Sequence, residues 1–220
     1  MVFTSGLTSE KAKNLQKSLS KKVICRDQLP RQIKLVGGVD VAYTDELAVG
    51  SVAILEYETL KVVETKTSCQ PIEAPYVPTF LSFREIPPVV SAVRSLSVKP
   101  DVFLVDGHGV AHPRGLGFAS HLGLILDAAT IGVAKNLLFG EIRETEVEDW
   151  KPIVYSDATI GAALYMKTGV KPIFISIGHK ISLETAIKIV KHCLVGHRIP
   201  EPIREAHKSA IETKQTRLHY

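Results

Sequence analysis

The chain has 220 residues, of which 45% are hydrophobic and 23% charged, with a net charge of +4. This is the composition of a globular protein whose core needs no covalent staples, and it excludes disordered and fibrous classes. The three cysteines, Cys25, Cys69 and Cys193, are scattered with no CxxC pair, so they read as free thiols in a reducing compartment rather than as a zinc ribbon or redox pair.

Ser9 can cap a helix over residues 9–26, where Leu15, Leu19 and Val23 recur on one face among lysines. Three β-rich runs follow, Lys34–Tyr43, Leu47–Tyr57 and Leu60–Cys69, joined by short polar turns that predict an antiparallel meander. Thr79–Glu85 reads as helical, and Pro87-Pro88 should break that helix or begin a second one reaching about Leu96. Asp101–Asp106 is nearly all apolar, as a strand buried on both faces would be. A helix over Gly117–Ala128 and a buried strand at Thr130–Ala134 come next. Strands are expected at Pro152–Tyr155, Ile160–Lys167 and Pro172–Ile177, and helices at Leu183–Val195 and Pro202–Arg217. The sum predicts one α/β domain over residues 1–220: a ribonuclease H-like mixed sheet, three antiparallel strands then alternating helix and strand, flanked by helices.

The N-terminus lacks the apolar stretch of a signal peptide and no run is long enough to span a bilayer, which points to a cytoplasmic protein. Charge is unevenly spread. Residues 1–34 carry eight Lys/Arg against two Asp/Glu and residues 188–220 seven against three, leaving twelve against eighteen between. Basic ends around an acidic centre suit a phosphate-gripping rim and a carboxylate metal site, although on charge alone solvated amphipathic helices account for the pattern first.

Asp40 interrupts the apolar strand GGVDVAY, where a carboxylate is costly to bury unless paired or metal-bound; the competing reading is a strand-end Asp reaching solvent. Asp106 ends a buried strand and opens the glycine-rich DGHGVAHPRGLG, where ligands of open α/β sheets gather, unless it merely forms an Asp-Gly turn. Glu85, in FLSFRE, alone reads as a solvated helix residue and gains meaning only as a third carboxylate. Converging carboxylates suit Mg²⁺, with Mn²⁺ a ready substitute, and such an ion activates water against a phosphodiester. His108 and His112 are four apart, but Gly109 and Pro113 oppose the helix that a zinc pair would need. There is no GxxxxGK[ST], so a P-loop is unsupported. Pro75-Tyr76-Val77-Pro78 holds an aromatic ring in a stiff loop, either as a wedge into a base stack or as an anchor on the core.

GVDVAY, PYVP, FRE, DGHGVAHPRGLGFASHLG, TIGVAK and GHRIPEPIREAH, in that order from about residue 35 to 207, resemble the endonuclease V family. The resemblance implies metal ligation by Asp40 and Asp106, with Glu85 and Lys135 completing the catalytic set and His207 at or near the metal, where many relatives have Asp. It implies a wedge at Pro75–Pro78 led by Tyr76, and a pocket for an extruded hypoxanthine lined by Gly107, Gly109, His112, Gly117 and Phe118. It further implies a monomer that hydrolyses the second phosphodiester bond 3′ to deoxyinosine in DNA, leaving 3′-hydroxyl and 5′-phosphate ends. Inosine-containing RNA is the alternative substrate. Thr79 stands where the family frequently has glycine, which would narrow the pocket or alter lesion tolerance. A non-cutting inosine-binding module and a metal-dependent hydrolase of a small molecule are the competing readings. The first needs no carboxylate trio, and the second explains neither the wedge nor the basic flanks.

Overall fold

Thr8 rather than Ser9 caps the first helix, α1 (Ser9–Ser20), its hydroxyl accepting from Lys11 N. In the computed structural model, which describes residues 8–73, 77–146, 149–166 and 171–218, this helix stops short of the expected residue 26. The reason is tertiary: Ile24 N donates to His179 Nδ1 (3.2 Å) and Gln28 N to Lys180 O (3.0 Å), so this stretch is spent on a distant strand end.

The expected meander forms from β1 (Leu35–Tyr43), β2 (Leu47–Glu56) and β3 (Val62–Pro71), each antiparallel to the next. Helix and strand then alternate through α2 (Ser82–Arg94), β4 (Val102–Asp106), α3 (Phe118–Leu126) and β5 (Thr130–Ala134). β4 lies parallel to β1 and β5 parallel to β4. There the alternation ends. β6 (Glu141–Ile142), β7 (Trp150–Tyr155), β8 (Ala158–Leu164) and β9 (Ile173–His179) form a second antiparallel run, followed by α4 (Leu183–His192) and α5 (Glu201–Leu218). All nine strands join one mixed sheet in the order β3-β2-β1-β4-β5-β9-β8-β7-β6. The two-residue β6 carried no period from which it could be read.

Both faces of the sheet are covered. Val36, Leu104, Ile131 and Val133 pack with Ile187, Val190, Ile203 and Ala206 beneath α4 and α5. Val39, Val52, Phe103 and Val105 pack with Val89, Ala92, Phe118 and Leu122 beneath α2 and α3. Two-sided burial is why β4 and β5 are apolar throughout. On β1, Gly38 lets α5 dock: a Cβ there would lie 1.8 Å from the carbonyl oxygen of Pro202.

Helix α2 departs from the proline reading. It neither breaks nor restarts at Pro87-Pro88 but runs continuously from Ser82 to Arg94. Two backbone bonds are lost there, and burial of Pro88, Val89, Val90 and Ala92 against the sheet holds the helix together instead. Among the described residues no helix is long and apolar enough to cross a membrane.

Candidate active site

The parallel register builds the site. Val39 pairs with Val105, so Asp40 and Asp106 follow one step later on adjacent strands. Strand alternation points both toward α5, since Val36 and Leu104, at even positions, pack with Ile203 and Ala206. Lys135, two residues beyond Val133 of the same cluster, emerges at the end of β5 on that same side, and its Nζ donates to Asp106 Oδ2 at 2.7 Å. From α5, His207 Nδ1 meets Asp40 Oδ2 at 2.6 Å. Arg198, in the RIPEP segment, donates from Nη2 to the carbonyls of Lys135 (2.6 Å) and Pro172 (2.7 Å), fixing the end of β5.

Neither bland alternative for these acids holds. Asp40 sits mid-strand and is buried, and Glu85 in the first turn of α2 is buried rather than solvated. Tyr43 OH donates to Glu85 Oε1 at 3.0 Å, and the guanidinium of Arg84 lies 4.2 Å above the Tyr43 ring. Glu85 Oε2 is buried without a hydrogen-bond partner among the described residues.

Burial, and next the charge of Asp106, hold the Asp40 carboxyl above the usual range against the pull of His207. Glu85 is raised well above its ordinary value, first by burial, with the Tyr43 hydrogen bond opposing and the charges of Asp40 and Asp106 adding to the rise. Burial works against the Lys135 ammonium, yet its hydrogen bond to Asp106 and the charges of Asp106 and Asp40 raise its pKa overall.

Two buried acids raised in pKa by burial and by neighbouring negative charge, one of them with an orphaned carboxylate oxygen, are short of positive charge. Their hard oxygen donors fit a divalent cation. Among the described residues no three His, Cys, Asp or Glu side chains converge as a ready cage. A small hard cation does not require one, since it takes one or two carboxylates and completes its shell with water and phosphate oxygen.

Next to the acids opens a cavity of about 360 Å³, within the size range of small-ligand sites. Asp106 and Lys135 stand on its wall, as do Gly107, His112, Gly117 and Phe118 of the expected lining and Pro78 of the expected wedge segment. Gly109 of that lining and Val77 of the wedge segment are not there. Gly109 is turned onto β9, where a Cβ would lie 1.9 Å from Ile177 O, and its N–H donates to Ser176 Oγ at 2.8 Å. Its missing side chain thus serves loop packing, not a ligand. Val77 packs with Ala12 and Phe80, as an anchor would. Pro75 and Tyr76 lie outside the described residues.

Two histidines at or beside the cavity are held neutral. His112 Nε2 lies 3.0 Å from Thr79 O while Nδ1 accepts from Arg114 N, which assigns the proton to Nε2. Burial brings its pKa down to about 4. His121 is likewise brought down to about 4 by burial and bonds Ser82 Oγ at 3.1 Å. Tyr43, Ser82, His121 and Arg198 all lie inside or beside the quoted motifs, but nothing in their spacing announced these partners. Gln16 lay in a helix that carried no signature at all.

Two carboxylates side by side call for a cation. A lysine and a cavity within reach direct that cation toward a phosphate ester, and with this sheet order the class is a ribonuclease H-like nuclease. Comparison with known proteins agrees. The family model described as Endonuclease V matches residues 17–208. The endonuclease V of Rippkaea orientalis is 47% identical over 212 residues, 94% of this chain and 92% of that protein. The crystal structure of the Streptomyces avermitilis endonuclease V superposes with a TM-score of 0.90 at 35% identity, covering 98% of each chain. That of Ciona intestinalis endonuclease V, in complex with a 24mer DNA containing an inosine followed by a ribo-adenosine, gives 0.85 at 36% identity over 94% of this chain and 98% of that one. The chain belongs to the endonuclease V family and is a nuclease.

Proposed function

We propose that this chain is a single-domain, monomeric repair endonuclease that draws a hypoxanthine base from DNA into the cavity beside Asp106. It then hydrolyses the second phosphodiester bond 3′ to that base. The observation that carries this reading is the shared wall: Asp106 and Lys135 belong at once to the carboxylate cluster and to the cavity. Base and backbone are thereby presented to one site. The inosine-containing DNA held by the Ciona relative supports the substrate class. Hypoxanthine pairs more weakly than guanine with cytosine, so extruding it costs less than extruding an intact base.

Asp40 and Asp106 would hold Mg²⁺, with Mn²⁺ able to replace it, and Glu85 supplies a further carboxylate oxygen behind them. When bound, the ion polarises the phosphoryl oxygen and lowers the pKa of the attacking water. Lys135 places a fixed positive charge where the phosphoryl group gains negative charge. His207 holds the Asp40 carboxylate in orientation, and Arg198 does the same for the backbone of Lys135. As water adds to phosphorus the P–O3′ bond breaks, the 3′ oxygen leaves as hydroxyl, and the phosphate stays on the 5′ end. Pro75–Pro78, led by Tyr76, is the wedge that fills the vacated stack, and Gly107, His112, Gly117 and Phe118 enclose the base.

A cleavage assay on matched DNA and RNA strands carrying one inosine, with and without Mg²⁺, tests the reading. The expected result is a metal-dependent nick in DNA at the second phosphodiester bond on the 3′ side of the lesion. A protein that binds the inosine strand but never nicks it with either ion is a recognition module instead.

A further inference from the structure

Helix α1 buries one polar side chain, Gln16, which is 1% exposed. A buried amide persists only where its hydrogen bonds are made, and here they reach far along the chain. Gln16 Nε2 donates to Thr79 O (2.9 Å) and to Leu116 O (3.3 Å), while its Oε1 accepts from Arg114 Nε (2.5 Å). Arg114 Nη2 donates to both Thr79 O (2.8 Å) and Thr79 Oγ1 (2.5 Å), and its guanidinium stacks 4.5 Å above the Phe80 ring. With His112 Nε2 at 3.0 Å, three donors converge on one carbonyl.

The residue so held is strained. Thr79 has φ +70°, a left-handed conformation that a β-branched side chain resists and glycine adopts freely. It also lines the cavity, directly after Pro78. Left unsecured, this stretch of wall would relax toward an ordinary conformation and the cavity would change shape.

We propose that Gln16 and Arg114 are positioning residues forming a latch, through which the N-terminal helix fixes Thr79 and sets the affinity and selectivity of the cavity for its base. Neither touches the carboxylate cluster, so the latch governs which base is accepted and not how fast the bond breaks. This rests on the reading of the cavity as the seat of the extruded base.

The test uses the full chain with Mg²⁺ in single-turnover cleavage of duplexes carrying deoxyinosine, deoxyuridine or no lesion at one position. For Gln16→Ala the half-saturating enzyme concentration on deoxyinosine should rise roughly tenfold, the loss expected of an unmade buried hydrogen bond. The saturated rate should stay within about twofold, and the preference for deoxyinosine should narrow by a similar factor. Arg114→Lys, which keeps the charge but loses the fork, should move the same quantities in the same direction. Thr79→Gly supplies a rescue: adding Gln16→Ala to it should cost no more than about threefold in affinity, because glycine holds φ +70° unaided. Equal losses from Gln16→Ala with and without Thr79→Gly, or a loss confined to the saturated rate, would overturn the latch. So would wild-type selectivity in folded Gln16→Ala, while the cavity reading survived. A wild-type protein with no preference for deoxyinosine would instead overturn the cavity reading, and the latch with it.

Discussion

The carboxylate cluster and the cavity beside it share Asp106 and Lys135, yet their electrostatics are opposite. In the cluster, Asp40 and Glu85 are buried, mutually repelling and raised in pKa, and Glu85 keeps an oxygen without a partner among the described residues. Around the cavity, His112 and His121 are neutral and hydrogen-bonded, and the wall is otherwise largely apolar. One region is left unfavourable until a cation arrives, whereas the other is complete in itself. Substitutions in the first should therefore change rate and metal response, and substitutions in the second should change grip and choice.

The largest expected effect follows from removing a cluster acid. Asp106→Ala should lower single-turnover cleavage of an inosine duplex at least about a thousandfold while a gel-shift assay still shows lesion binding. Loss of binding in parallel would erase the division between the two regions. Asp40→Asn tests the cation itself. Millimolar Mg²⁺ should raise the melting temperature of the wild type, and chelation should reverse it, because the ion relieves the crowded charges. In Asp40→Asn that rise should shrink or vanish. Lys135→Ala should slow cleavage about a hundredfold, with half-saturation little changed, as removal of one preorganised charge does.

On the cavity side the effects are smaller. Leu138 lines the wall and is 41% exposed, so Leu138→Ala should weaken lesion binding about fivefold, by lost apolar contact, with the saturated rate unaltered. Smallest is an acid sensitivity of the fold. His112 and His121 titrate near 4 when folded and near 6.5 when unfolded, so between those values the unfolded chain binds more protons. Their neutral burial is without cost above about pH 6.5 and becomes destabilising as pH falls toward 4. Melting temperature measured across that range should drop, and His121→Gln should lessen the drop; an identical slope in the variant would remove His121 from the explanation.

The sheet was legible where burial is two-sided or strictly alternating. β1, β2, β4 and β5 were delimited to within a residue or so by their own apolar pattern. What escaped depended on tertiary partners. The end of α1 is decided by His179 and Lys180, the continuity of α2 by burial of Pro88, Val89, Val90 and Ala92 against the sheet, and β6 by pairing with β7. The candidate site divides likewise. Asp40 stands out because it interrupts an apolar strand and Asp106 because it ends one, and their adjacency then follows from register. Glu85, lacking any such contrast, gained weight only as a third carboxylate beside them, and Tyr43 and Gln16 acquire their roles from residues 42 and 63 positions away. The glycines of the 107–117 loop misled in part, since close packing and ligand approach demand the same absent side chain. Gly109 serves the former.

The docking of α5 on Gly38 has a consequence for biogenesis. Asp40 and Asp106 are synthesised early, but Arg198 and His207, which orient Lys135 and Asp40, come some ninety residues or more after Asp106. Domains gain structure as they leave the ribosome, so a nascent chain carries its acids well before the helix that arranges them. The catalytic constellation is therefore complete only once that late helix has emerged and docked.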